Sequence, residues 1–250
     1  MKRYWLPVLV LAAVTACRSS VPAPSSAPPV PAAEATPTAA PRPVPEAIRW
    51  VRDSAEHRAI FIQVYREATE YVERQAVKHP AGTWAVVLDA DETVIDNSEY
   101  QLEQARAGRS FDLVSWHAWT QRRAAVALPG AAAFLARVRA LGGRIAIVTN
   151  RAESECPDTA AVFGAQHLDY DVMLCMSDRG PSDKNPRFEA VARGTTPAGL
   201  PPVDIIAYFG DNILDFPGQS QAICDQGDEA FQEFGSRFFV LPNPMYGSWN

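Results

Sequence analysis

Residues 84–93, Trp84-Ala85-Val86-Val87-Leu88-Asp89-Ala90-Asp91-Glu92-Thr93, decide the fold. Thr83 to Leu88 is a short apolar run of strand length, and two aspartates spaced by one residue follow it. An apolar run without polar alternation predicts a strand buried on both faces, as in a parallel sheet covered by helices. Arg144–Thr149 and Asp204–Phe209 repeat the pattern, and Val172–Met176 and Arg237–Leu241 read as further strands. Between them lie helical stretches. Glu46 to about His79 contains no Pro or Gly and carries Trp50, Ala55, Ile62, Tyr65, Ala68 and Val72 at roughly helical spacing, so one or two helices are expected there. Pro129 to Leu141 has a proline start and a Gly142-Gly143 stop, the usual asymmetry of helix ends. Further helices are expected around Asp158–Gln166 and Arg187–Arg193. Residues 101–127 are more polar and hold two tryptophans, and read as helices and loops of a small cap. The predicted class is α/β: a mostly parallel sheet with helices on both faces.

In such sheets the chemistry lies beyond the carboxyl ends of the strands. Here those ends carry Asp89-Ala90-Asp91-Glu92-Thr93, then Thr149-Asn150-Arg151, then Gly210-Asp211-Asn212-Ile213-Leu214-Asp215. Lys184 falls between the last two. Carboxylates gathered on one edge repel unless a cation joins them, and hard oxygen ligands suit Mg²⁺. Thr149, Asn150 and Lys184 offer donors to an anion. A metal, an anion cradle and a spare carboxylate describe a phosphoryl-transfer site. A calcium loop starting at Asp89 is excluded by Val94, where a glycine is needed, and by Tyr100, where a glutamate is needed.

The rest of the chain says where this domain is kept. It has 250 residues, 47% hydrophobic, with formal net charge −6. No basic run is present to neutralise phosphates, so a nucleic-acid polymer is not an expected partner. Residues 1–16 join Lys2 and Arg3 to an apolar stretch and read as a secretory leader. Its end, Val14-Thr15-Ala16-Cys17, resembles the bacterial lipobox, whose cysteine is lipidated. Arg18 follows rather than an aspartate, which leans toward the outer membrane, with the domain facing the periplasm. Residues 17–45 then read as lipidated Cys17 plus a Pro/Ala-rich tether. Nine prolines lie from Pro22 to Pro45, a composition that stays extended. The folded domain is expected at 46–250, with cap segments near 46–80 and 101–127. Cys156, Cys175 and Cys224 allow one internal disulfide, and the sequence does not choose the pair. No CxxC or HxxxH spacing supports zinc.

The order DxDxT, apolar strand-Thr-Asn, Lys, GDxxxD is similar to that of the haloacid dehalogenase-like phosphohydrolases. The extended runs Asp89–Tyr100, Gly210–Phe216 and Leu241-Pro242-Asn243-Pro244-Met245-Tyr246-Gly247-Ser248-Trp249 resemble the class C, or DDDD, acid phosphatases. Many of those are outer-membrane lipoproteins. The likeness runs from about residue 50 to the end, with Leu214-Asp215 where an Asp-Asp pair is common. It implies a Rossmann-like fold and hydrolysis of phosphomonoesters, often nucleoside monophosphates and aryl phosphates. It implies Asp89 as nucleophile and Asp91 as acid and base. Mg²⁺ would be held by Asp89, the Asp91 main-chain carbonyl and Asp211, with Asp215 beside it. Thr149, Asn150 and Lys184 would grip the phosphoryl group, and Trp116 and Tyr246 would face the leaving group. Asn97 and Arg151 would support the site or the fold. The resemblance also admits a homodimer. A phosphotransferase and a haem-binding surface lipoprotein, with His117 and His167 as ligands, are the alternatives.

Overall fold

The computed structural model describes residues 43–249; Cys17 and the leader lie outside them. Helix α1 (Glu46–Asp53) and helix α2 (Ala55–Ala76) precede strand β1 (Trp84–Leu88) and the short strand β2 (Ile95–Asp96). Helices α3 (Ser98–Ala107) and α4 (Leu113–Arg122) lead to β3 (Val126–Ala127), α5 (Ala131–Ala140) and β4 (Arg144–Ala152). Then come α6 (Cys156–Ala165), β5 (Val172–Met176), α7 (Asn185–Arg193), β6 (Asp204–Gly210) and β7 (Phe238–Val240).

The main sheet has the order β5-β4-β1-β6-β7, and every pair in it is parallel. All five residues of β1 are buried, because its pleat feeds two cores. Trp84, Val86 and Leu88 enter a core shared with Phe61, Tyr65 and Phe134 of α2 and α5. Ala85 and Val87 enter a second core with Phe188 and Val191 of α7. β4 divides in the same way, with Ile145 and Ile147 on one side and Ala146 and Val148 on the other. The continuous apolar run is thus the signature of a central strand.

Three sequence expectations change in detail. The one or two helices expected over 46–79 are two, parted at Ser54, whose extended backbone and Oγ, accepting from His57 N, cap α2. The helical phase restarts there. The buried face of α2 is Phe61, Tyr65, Ala68, Val72 and Ala76, while Ala55 is exposed. That face packs on the main sheet, so α2, placed near a cap from sequence, is a layer of the core. Helix α5 starts after Gly130 (φ +88°) rather than at Pro129. The expected strand 144–149 continues to Ala152. Val148 pairs with Leu174 and Ala152 with Met176, so β4 spends more residues than β5 between those pairs. Thr149, Asn150 and Arg151 sit in this irregularity, a device that re-aims side chains at a strand end.

Outside the main sheet, β2 and β3 form an antiparallel pair that the sequence did not suggest. Helix α4 is capped by Asp112, whose Oδ1 accepts from Val114 N and Ser115 N. Cys156 and Cys175 form the disulfide, joining the start of α6 to β5, and Cys224 is free and exposed. Among the described residues no helix is long and apolar enough to cross a membrane.

Candidate active site

β1 is the central strand, so its carboxyl end is flanked by those of β4 and β6. Asp89 N still donates to Phe209 O at 2.9 Å, and Asp89 is buried. The chain then turns tightly: Val94 N and Ile95 N both donate to Ala90 O, and Glu92 takes a left-handed conformation, φ +48°. Tyr65 of α2 pins this turn from below, its hydroxyl donating to Thr93 O at 2.7 Å.

At the neighbouring end of β6, Asp211 and Asp215 come to Asp89, with one carboxylate oxygen of each within 4.8 Å of the others. Gly210 permits this arrangement. A Cβ there would lie 2.2 Å from Asp215 Cβ. Asp215 ends a 3-10 turn, and its Oδ2 accepts from Asn212 N at 2.9 Å. Buried Lys184 Nζ bridges Asp89 Oδ1 and Asp215 Oδ1, each at 2.6 Å. Asn243 Nδ2 donates to Asp211 Oδ2 at 2.8 Å.

One lysine does not balance these carboxylates. Burial pushes the Asp89 carboxyl up to about 7; Lys184 opposes the shift, and Asp215 and Asp91 add to it. Burial, then the Asp215 and Asp89 charges, raise Asp211 well above the usual carboxylate range. Burial disfavours the Lys184 charge, but the two carboxylates it bridges outweigh that and hold its pKa up. Asp89 Oδ1 touches Lys184 but makes no well-directed hydrogen bond. A buried oxygen of this kind, in an all-oxygen set with excess negative charge, fits a hard divalent cation.

On the β4 side, Arg187 organises the anion-facing groups. It donates to Thr149 O and to Asn150 Oδ1. With Oδ1 so engaged, the Asn150 amide group is the end left to face a ligand. Asp91 is held by Arg151 and by Asn97 Nδ2, the latter at 2.8 Å. Trp116 is half-buried on α4, with the Arg151 guanidinium 5.3 Å from its ring centre and Tyr100 edge-on at 5.2 Å. Tyr246 reaches the site from the C-terminal segment, its hydroxyl donating to Glu92 Oε2. Burial, and then Asp91 and Asp211, raise the Glu92 carboxyl well above its ordinary value. His117 is engaged at both ring nitrogens, by Glu155 at 3.5 Å and Gln121 at 2.8 Å.

The structure therefore brings Asp89, Asp91, Lys184, Asp211 and Asp215 together and places Thr149, Asn150, Trp116 and Tyr246 around them. Glu92, Arg187 and Asn243 were missed from sequence. Arg187 had a signal, being three residues beyond Lys184 at the start of a helix. Asn243 had only its place in the C-terminal motif, and Glu92 none beyond following the two spaced aspartates Asp89 and Asp91.

A parallel α/β sheet with this acidic cluster and lysine at its carboxyl edge defines a phosphohydrolase. The family model described as HAD superfamily, subfamily IIIB (acid phosphatase), matches residues 8–249, and the chain belongs to that family. It is a phosphomonoester hydrolase. Among solved structures it is similar to the class C acid phosphatase from Bacillus anthracis, at 28% identity and TM-score 0.72, over 82% of this chain and 85% of that one. The same enzyme with tungstate bound matches at 29% identity and TM-score 0.71, over the same shares.

Proposed function

We propose that this acid phosphatase hydrolyses nucleoside monophosphates and aryl phosphates with Mg²⁺, through an aspartyl-phosphate on Asp89. The observation that carries the reading is the convergence of Asp89, Asp211 and Asp215 within 4.8 Å, with Lys184 bridging Asp89 and Asp215. The Asp89 and Asp211 carboxylates and the Asp91 carbonyl would hold the metal, with Asp215 beside it. Bound there, Mg²⁺ supplies Lewis-acid neutralisation of the phosphoryl charge. Thr149, Asn150 and Lys184 bind the phosphoryl oxygens. A carboxylate oxygen of Asp89 attacks phosphorus as the ester P–O bond breaks, and Asp91 gives its proton to the departing oxygen. Asp91 then takes a proton from water, whose oxygen displaces Asp89 from phosphorus. Trp116 and Tyr246 present aromatic surface to a base or aryl ring, each such contact contributing ~1–3 kcal/mol.

Phosphate release from a panel of monophosphates, with and without EDTA, tests this. Turnover should vanish on chelation, return with Mg²⁺, and favour ringed substrates over glycerol phosphate. Full activity after exhaustive chelation would refute the metal role, and equal rates on all substrates the aromatic one. The chain is further proposed to sit on the outer membrane through lipid on Cys17, facing the periplasm.

A further inference from the structure

Arg151 is a fully buried cation that the reaction scheme above does not use. Its side chain is 1% exposed, and every nitrogen of its fork is committed. Nε lies 3.0 Å from Asp91 Oδ1 and 3.1 Å from Oδ2, and Nη2 lies 2.7 Å from Oδ1. Nη2 also donates to Asn97 Oδ1 at 3.0 Å, and Nη1 to Thr159 Oγ1 at 3.1 Å. The guanidinium plane is closed by the Trp116 ring. A rigid planar fork held at three nitrogens and one face has no other place to go.

The contacts on Asp91 are unequal. Oδ1 takes three donors: Arg151 Nη2, Arg151 Nε and Asn97 Nδ2. Oδ2 takes only a shared contact from Nε. Asn97 cannot relax this by turning its amide. Its Oδ1 accepts from Trp119 Nε1 at 2.8 Å as well as from Arg151, so Nδ2 must face Asp91. A protonated carboxyl needs one oxygen free to donate. Oδ1 has no such freedom, and Oδ2 does.

We propose that Arg151 is a positioning residue that turns the Asp91 carboxyl so that Oδ2 alone carries the proton given to the leaving group. The proposal rests on the reading of Asp91 as the acid. Proton delivery fails when the donor atom is displaced, and displacements near 1 Å cost about 10²-fold. The loss grows as the leaving oxygen becomes more basic, because a good leaving group departs without a proton.

The test is kcat/KM on nitrophenyl phosphate and on an alkyl phosphate for Arg151→Lys, Arg151→Met, Asp91→Asn and the Arg151→Met/Asp91→Asn pair. Rates are compared per folded protein, read from tryptophan fluorescence. Arg151→Lys keeps the charge without the fork and provides the same readout should Arg151→Met fold poorly. Both Arg151 variants should lose about 10²-fold on the alkyl ester and less than about tenfold on the nitrophenyl ester. The double variant should be no slower than Asp91→Asn alone. Equal losses on both esters, or losses that multiply in the double variant, would overturn the proposal while Asp91 keeps its steep profile. If Asp91→Asn itself shows equal losses on the two esters, the acid assignment fails and the positioning role fails with it.

Discussion

Asp89 sits in a strong electrostatic conflict, buried beside two other carboxylates and one lysine. Its carboxyl is raised from an ordinary 3.8 to about 7, first by burial and then by Asp215 and Asp91 against the pull of Lys184. Between those two values the folded state binds more protons than the unfolded chain, so stability falls as pH rises through that window. Without metal, Asp89→Asn should therefore be the more stable protein, by a margin that is small near pH 4 and grows toward pH 7. Thermal melts of the two proteins in EDTA measure it, and a margin that shrinks with pH would contradict the sign. The same substitution should lower kcat by at least ~10³-fold if Asp89 has its proposed role as covalent nucleophile, and an active Asp89→Asn enzyme would refute that role. Gly210 is constrained by contact rather than by backbone angle. Gly210→Ala forces a Cβ onto Asp215, and overpacking of this kind costs about 1–3 kcal/mol. It should also separate Asp215 from Lys184, so urea unfolding and phosphatase activity should both decline. Full activity with unchanged stability would mean that the turn carrying Asp215 yields without cost.

At the scale of elements, the site depends on how strand ends are finished. β1 ends in a tight turn, β6 in a 3-10 turn, and β4 in an irregularity that aims Thr149, Asn150 and Arg151. The sequence located all three ends, since each follows an apolar run. It did not show that β4 continues through its motif, because Thr149 to Ala152 carry no apolar signal. The disulfide acts on this same edge. Cys156 begins α6, which holds Thr159 under Arg151, and Cys175 lies on β5 beside β4. The cysteines are 19 residues apart, and a loop near that length is worth about 3 kcal/mol in the chain-entropy account. Cys156→Ser should lower stability by that order in chemical denaturation. Cys224→Ser should leave it unchanged, since Cys224 is exposed and unbridged. Equal effects of the two substitutions would remove the disulfide from the account of stability.

For the whole molecule, the folded part and its proposed anchor should separate cleanly. Among the described residues the first helix is α1, with the Pro45 carbonyl accepting from Arg49 N at 3.1 Å. Deleting residues 18–42 spares that bond and should leave kcat/KM unchanged. Cys17→Ser should release active protein from the membrane fraction. Membrane retention of that variant, or a large loss of activity on trimming, would count against the lipid anchor and the tether.

The five strands of the main sheet, the order of the motifs that follow them and five acidic or basic residues of the site were readable from the chain alone. Transfer of Val, Ile, Leu and Phe out of water is a property of each residue. A run such as Ala85-Val86-Val87-Leu88 therefore declares its burial, and a parallel sheet then places the groups that follow such runs on one edge. Partner choice was not readable. Arg151 and Asp91 are 60 positions apart and Tyr246 and Glu92 are 154 apart. Three cysteines looked equivalent until two were brought together. Those pairings are set by distance and direction between remote segments, which only the packed sheet and helices determine. The same is true of Trp116. Its aromatic character is in the sequence, but that one face covers Arg151 is a fact of the fold: a side chain's chemistry is local, while what it touches depends on every element packed around it.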